Sequence, residues 1–158
     1  MKTAEQGGPL SLRARDLPVL ARIAVLWPAA AVLKRSVPVP RLAGLFGAAP
    51  RLGPGRGGPR RGGAVPPWRL ARLIDGVLRR AYRHRPGYCV ERSLLLFHLL
   101  RRGGHPARLC FGVVRAPEGR LAGHAWVTLD GEPVAEPVDP RTLYATTYAS
   151  PEDARRAG

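Results

Sequence analysis

The chain has 158 residues, 45% hydrophobic and 23% charged, enough apolar material for one packed domain and too much for wholesale disorder. Its net charge is +15, yet 24 of its 26 basic residues are Arg and aromatics make up only 6%, with no basic run interleaved by base-stacking rings, so nucleic acid is not an expected partner. The longest apolar run, Ile23 to Leu33, falls short of the ~18–20 residues of a membrane span, no basic-then-apolar export signal opens the chain, and two cysteines cannot staple a secreted scaffold, so a cytoplasmic protein without membrane association is expected.

Apolar residues at spacings of three and four from Leu12 to about Phe46 predict one or two helices, interrupted near Pro28 and ending before Pro38 and Pro40. Residues 49–63 read APRLGPGRGGPRRGG, in which Gly and Pro supply nine of fifteen positions. That composition predicts a flexible linker between a helical N-terminal region, 1–48, and a body, 64–158. The body opens on Trp68, Leu70, Leu73, Ile74, Val77, Leu78, Ala81 and Tyr82, an amphipathic helix stopped by Arg85-Pro86-Gly87. A second helix is expected from Cys89 to Arg102, apolar around most of its circumference and closed by Gly103-Gly104.

Strands follow. Ala107 to Arg115 is rich in branched and aromatic residues, His124 to Leu129 is a second strand, and Asp130-Gly131 is a hairpin turn. Glu132 to Val138 is expected as a third strand, at an edge because of Pro133 and Pro137. The tail from Asp139 carries Tyr144, Tyr148 and a short helix near Pro151. Helices before an antiparallel meander give an α+β layout.

Cys89 opens the central helix, where unpaired N–H groups and the helix dipole favour a thiolate. Its ordinary alternative is an inert core cysteine, the reading preferred for Cys110. His124 heads a strand that leads into the hairpin. With a two-residue turn, Leu129 faces Glu132, and His124 and Glu136 point to opposite faces. A three-residue loop, Leu129-Asp130-Gly131, puts Thr128 across from Glu132 and His124 across from Glu136, with Cβ atoms about 4.5–5.5 Å apart. This second register is the one expected, and it yields nucleophile, base and orienting acid in Cys89, His124 and Glu136. Asp130 and Asp139 compete for the acid's place. Trp126 shares the face of His124 and is either a wall of the site or ordinary packing. His84, His98 and His105 lack metal-ligand spacing, and no C-x-x-C, H-E-x-x-H or phosphate loop occurs, so neither metal nor cofactor is expected.

The same stretch resembles a known family. C-V-E-R-S-L-L-L from Cys89, G-G-H-P-A-R-L from Gly103, F-G-V-V-R from Phe111 and G-H-A-W-V-T-L-D-G from Gly123 are similar to the stand-alone lasso-peptide leader peptidases. The likeness is specific over residues 88–136. It implies a transglutaminase-like (papain-like) core, helices on a small antiparallel sheet with a helical N-terminal extension, and a Cys-His-Asp triad. Cys89 and His124 match the family's Cys and His, while Glu136 stands where the family has Asp. The implied activity is removal of the leader from a ribosomally made lasso precursor. The implied partners are the precursor peptide, a separate leader-recognition protein and an ATP-dependent macrocyclase. Another transglutaminase-like acyl transferase or amidase, or a non-enzymatic basic adaptor, is the alternative.

Overall fold

The computed structural model describes residues 11–48, 65–83 and 87–151. The proposed linker, 49–63, the first ten residues and the stretch beyond Pro151 where a short helix is expected all lie outside them. Four helices of at least nine residues are described: α1 (Leu17–Leu33), α2 (Val39–Gly47), α3 (Pro67–Ala81) and α4 (Cys89–Arg102). The strands are β1 (Ala107–Arg115), β2 (Leu121–Leu129), β3 (Glu132–Pro133) and β4 (Ala145–Ala149), in the sheet order β3-β2-β1-β4 with every pairing antiparallel.

The expected interruption at Pro28 does not occur, because α1 runs straight through it. Pro28 and Ala24, whose carbonyl loses its N–H partner to the proline, are both exposed, so water can serve that carbonyl. Including the turn before it, the helical stretch Ala14–Leu33 spans 20 residues and is long and apolar enough to cross a membrane by length and composition. The eleven-residue run seen in the sequence understates it, because the helix continues through Arg22 and Pro28. Pro38 and Pro40 lie beyond the end of α1 and open α2 from its N-cap and first turn, where a missing N–H costs nothing.

The helices share one core with the sheet. Ile23, Leu42 and Phe46 from α1 and α2 are buried in the same cluster as Leu73, Ile74 and Leu78 of α3, Leu94 to Phe97 of α4, and Leu109 and Val127 of the sheet. Helix α4 lies at its centre and touches the other three helices and both middle strands. Its apolar circumference is what such a position demands. It ends in a Schellman motif: Gly104 is left-handed, its N–H bonds Arg101 O, and His105 N–H bonds Leu100 O. The start of α1 is pinned to α3 by Arg69, whose guanidinium donates to both oxygens of fully buried Asp16 and to Ser11 O. This ion pair holds the Asp16 carboxyl down to about 2, the Arg69 hydrogen bond outweighing burial.

Two expectations about the sheet are corrected. The β2–β3 connection is a two-residue turn, with Leu129 paired to Glu132 and Thr128 to Pro133, and not the three-residue loop. Asp130 (φ +50°) and Gly131 (φ +86°) are both left-handed, the geometry whose twist matches that of the flanking strands. The third strand stops at Pro133 instead of continuing to Val138. One more ladder bond follows, Val134 N–H to Val127 O at 2.9 Å, and then Ala135 turns left-handed (φ +54°) and the chain leaves the sheet. The tail contains an unforeseen strand, β4, paired along β1.

Candidate active site

Cys89 is the first residue of α4 and is half-buried. Ser93, one turn on, is fully buried and donates its hydroxyl to Ala125 O at 2.8 Å, which ties the end of α4 that carries Cys89 to β2. That contact brings His124 to the thiol. The Cys89 side chain hydrogen-bonds with the His124 ring and with the Ala125 backbone. On its other side, His124 Nε2 lies 3.1 Å from Glu136 Oε2. The three residues singled out in the sequence are therefore brought together.

They meet by a route other than the predicted one. In the observed register, residue 136 would continue opposite Ala125, on the face away from His124. The left-handed Ala135 breaks that alternation and lets Glu136 reach the imidazole. The carboxylate is also held from α4: Arg92 Nη1 donates to Glu136 Oε1 at 2.6 Å, Nη2 donates to Ala135 O at 2.8 Å, and Nε donates to Asp75 Oδ1 of α3 at 2.8 Å. The Glu136 side chain is only 7% exposed.

Imidazole orientation is fixed by stacking. Tyr144 lies 5.2 Å from the His124 ring, and Trp126 lies 6.1 Å away, with interplanar angles of 27° and 15°. Trp126 is thus packed directly against His124, and it is almost fully buried. Gly112, paired with His124 across the β1–β2 ladder, makes room for both rings. A Cβ there would lie 2.8 Å from the Tyr144 side chain and 3.0 Å from that of Trp126.

Electrostatics favour a charged pair. Burial of the Cys89 thiol opposes ionisation, but hydrogen bonds from His124 and the Ala125 backbone overcome it and move the thiol below its ordinary value. His124 is pushed up to about 9 by its hydrogen bonds to Cys89 and then Glu136, against the cost of burial. At neutral pH His124 is therefore imidazolium, and its hydrogen bond shifts Cys89 toward the thiolate. Such a pair supports nucleophilic attack on an acyl carbon followed by proton return to the leaving group.

The competing acids lie elsewhere. Asp130 belongs to the hairpin turn. Asp139 caps the turn Pro140–Thr142, accepting from Arg141 N–H at 2.9 Å and pairing with the Arg141 guanidinium. Cys110 is buried in β1, and burial raises its thiol above the ordinary value. Among the described residues, no group of three or more His, Cys, Asp or Glu is placed to hold a metal ion.

The family model described as the transglutaminase-like superfamily matches residues 20–149, from within α1 to the end of β4. The chain belongs to that superfamily. No curated protein and no solved structure matches it. Transglutaminase-like proteins are typically cysteine hydrolases or acyl transferases with a Cys-His-Asp triad, compatible with the thiol, imidazole and carboxylate seen here. The match takes in α2 and α1 from residue 20 onward, so these helices belong to the superfamily unit, and both contribute to the core. Sequence reasoning missed Tyr144, Gly112 and the Arg92–Asp75 pair. The branched and aromatic run Thr146-Thr147-Tyr148 of β4 could have revealed the strand that follows Tyr144, whereas no local signal marks Arg92 as a partner of Glu136.

Proposed function

We propose that this protein is a cytoplasmic cysteine peptidase that removes the leader from a ribosomally made lasso precursor peptide. The observation that carries the reading is His124 set between the Cys89 thiol and the Glu136 carboxylate. Superfamily membership supports acyl chemistry at that thiol, and the likeness of residues 88–136 to the lasso leader peptidases supplies the substrate.

In this mechanism Cys89, as thiolate, attacks the carbonyl carbon at the leader–core junction. Free N–H groups in the first turn of α4 stabilise the oxyanion. With Nε2 engaged by Glu136, Nδ1 is the nitrogen that serves the thiol and then protonates the departing core amine. The leader remains on Cys89 as a thioester. His124 then takes a proton from water, whose attack releases the leader carboxylate and restores the thiol. Glu136 orients the ring and stabilises the imidazolium throughout. The precursor arrives bound to a separate leader-recognition protein, and the freed core passes to an ATP-dependent macrocyclase.

Purified protein, precursor peptide and recognition protein together test the proposal. Cleavage at the junction by wild type, none by Cys89→Ala and undiminished cleavage by Cys110→Ala are the expected results. Cleavage by Cys89→Ala at the wild-type rate would overturn the mechanism. A thioester captured by an added amine faster than by water would instead identify an acyl transferase.

A further inference from the structure

We propose that Arg92 is a positioning residue of this site, the clamp that holds Glu136 against His124 where the sheet register would not. The inference rests on the triad proposed above and adds a residue to it. Four observations carry it. The β2–β3 register directs position 136 to the wrong face. A single left-handed residue, Ala135, redirects it. The carbonyl of that same residue accepts from Arg92 Nη2, and the redirected carboxylate accepts from Arg92 Nη1. The third arm of the guanidinium is tied to Asp75, so the fork itself is fixed from α3.

Arg92 is one turn along the helix that Cys89 opens. One rigid element therefore carries both the nucleophile and the group that positions the acid, and the nucleophile-to-acid distance is set within α4 and not across the sheet edge. The planar fork is required, because a lysine ammonium cannot reach a carbonyl and two separate carboxylates with fixed directions. Glu136 is left with one oxygen for Arg92 and the other for His124.

Charge alone would give a different outcome from positioning. A carboxylate that loses its arginine but stays in place pulls harder on the imidazolium and should move thiolate formation to lower pH. A carboxylate that loses its anchor leaves His124 unsupported and moves thiolate formation to higher pH. Besides Arg92, the charged groups facing this cluster are Asp75 from α3, Glu91 from α4, and His124 and Glu136 themselves.

The experiment is the pH profile of iodoacetamide alkylation at Cys89, read by mass spectrometry in the full chain, with Cys110 as internal reference and circular dichroism as a check of fold. Arg92→Met and Arg92→Lys should both shift the profile upward, with alkylation at pH 6 slowed by about tenfold or more for Met, a displacement of one unit. The lysine variant, which keeps the charge, should recover only part. In a Glu136→Gln background, Arg92→Lys should have no further effect, since its target is already lost. A wild-type profile for Arg92→Lys, a shift to lower pH for Arg92→Met, or full additivity with Glu136→Gln would each overturn the clamp. Should either arginine variant fail to fold, Asp75→Ala, which frees the fork from α3 while leaving it on Glu136, must shift the profile in the same direction. An unshifted Asp75→Ala then overturns the clamp. A wild-type Cys89 no more reactive at pH 6 than Cys110 would instead remove the triad itself.

Discussion

At the residue scale, the site separates Glu136 from Asp139 by what each touches. Glu136 contacts the imidazole, while Asp139 caps a turn and pairs with Arg141. Glu136→Gln should lower kcat strongly with little change in fold, since an amide hydrogen-bonds but does not stabilise an imidazolium. Asp139→Asn should leave turnover within about twofold, and the reverse ranking of the two variants would reassign the acid. The pH dependence follows from the same pair. The proposed mechanism needs Cys89 as thiolate and His124 as imidazolium, so kcat/KM should rise with acid-side titration of the thiol, below its ordinary value, and fall as His124 loses its proton near 9. The stability sign agrees for His124. Its raised value means the imidazolium stabilises the fold fully below the unfolded histidine range, about 6.5, and this contribution disappears as pH passes 9. A flat rate profile from pH 6 to 10 would remove the charged pair from the mechanism. Cys89 is legible in the sequence because a helix start is a local feature, and His124 because it lies in a recognisable strand, although β2 begins at Leu121 and not at His124 as expected. Their meeting with Glu136 is legible only in part, since it depends on one backbone angle at Ala135 and on an arginine 44 residues away.

At the element scale, punctuation decides what can be read. The bounds of α4 follow from the Gly87 and Gly103-Gly104 that flank it, and those of β1 from its branched residues between Pro106 and Ala116. Pro28 misleads, because a proline inside a helix breaks it only where the freed carbonyl has no other partner, and here Ala24 faces solvent. This yields a stability prediction. Pro28→Ala restores an N–H to the carbonyl of Ala24 on an exposed face, so urea denaturation should show a gain of about 1–3 kcal/mol. A loss of stability would mean that the proline shapes how α1 packs. The truncation of β3 has the opposite origin: its end is set by tertiary hydrogen bonds from α4, which leave no trace in the local pattern.

At the scale of the whole molecule, the described helices and the sheet share one core. The sequence suggests a helical extension joined to a separate catalytic part, because the composition of 49–63 looks like a boundary. In the structure, α1 and α2 pack on α4 and contribute Ile23, Leu42 and Phe46 to the shared core, and Lys34 at the end of α1 reaches 2.7 Å from Glu91, two residues beyond Cys89. Glu91 is fully buried and also accepts from the Tyr82 hydroxyl. Removing α1 would leave that carboxylate buried without its cation and strip the cover from α4. A fragment of residues 64–158 should therefore fail to give a cooperative thermal transition and should lose the enhanced reactivity of Cys89. A fragment that melts cooperatively and alkylates like the full chain would restore the two-part organisation.

The left-handed turn at Ala135 also carries an evolutionary consequence. An L-residue there costs about 1–2 kcal/mol relative to glycine, so Ala135→Gly relieves the corner while adding freedom to the unfolded chain, and the net change in stability should be small or favourable. Glycine would at the same time widen the range of directions open to Glu136, and kcat should fall several-fold even as the protein melts no lower. If Ala135→Gly keeps full turnover, the corner is tolerance and not constraint. If it does not, alanine at this position marks a trade in which a little folding stability is exchanged for an aimed carboxylate, and selection for a hardier fold would act directly against selection for speed.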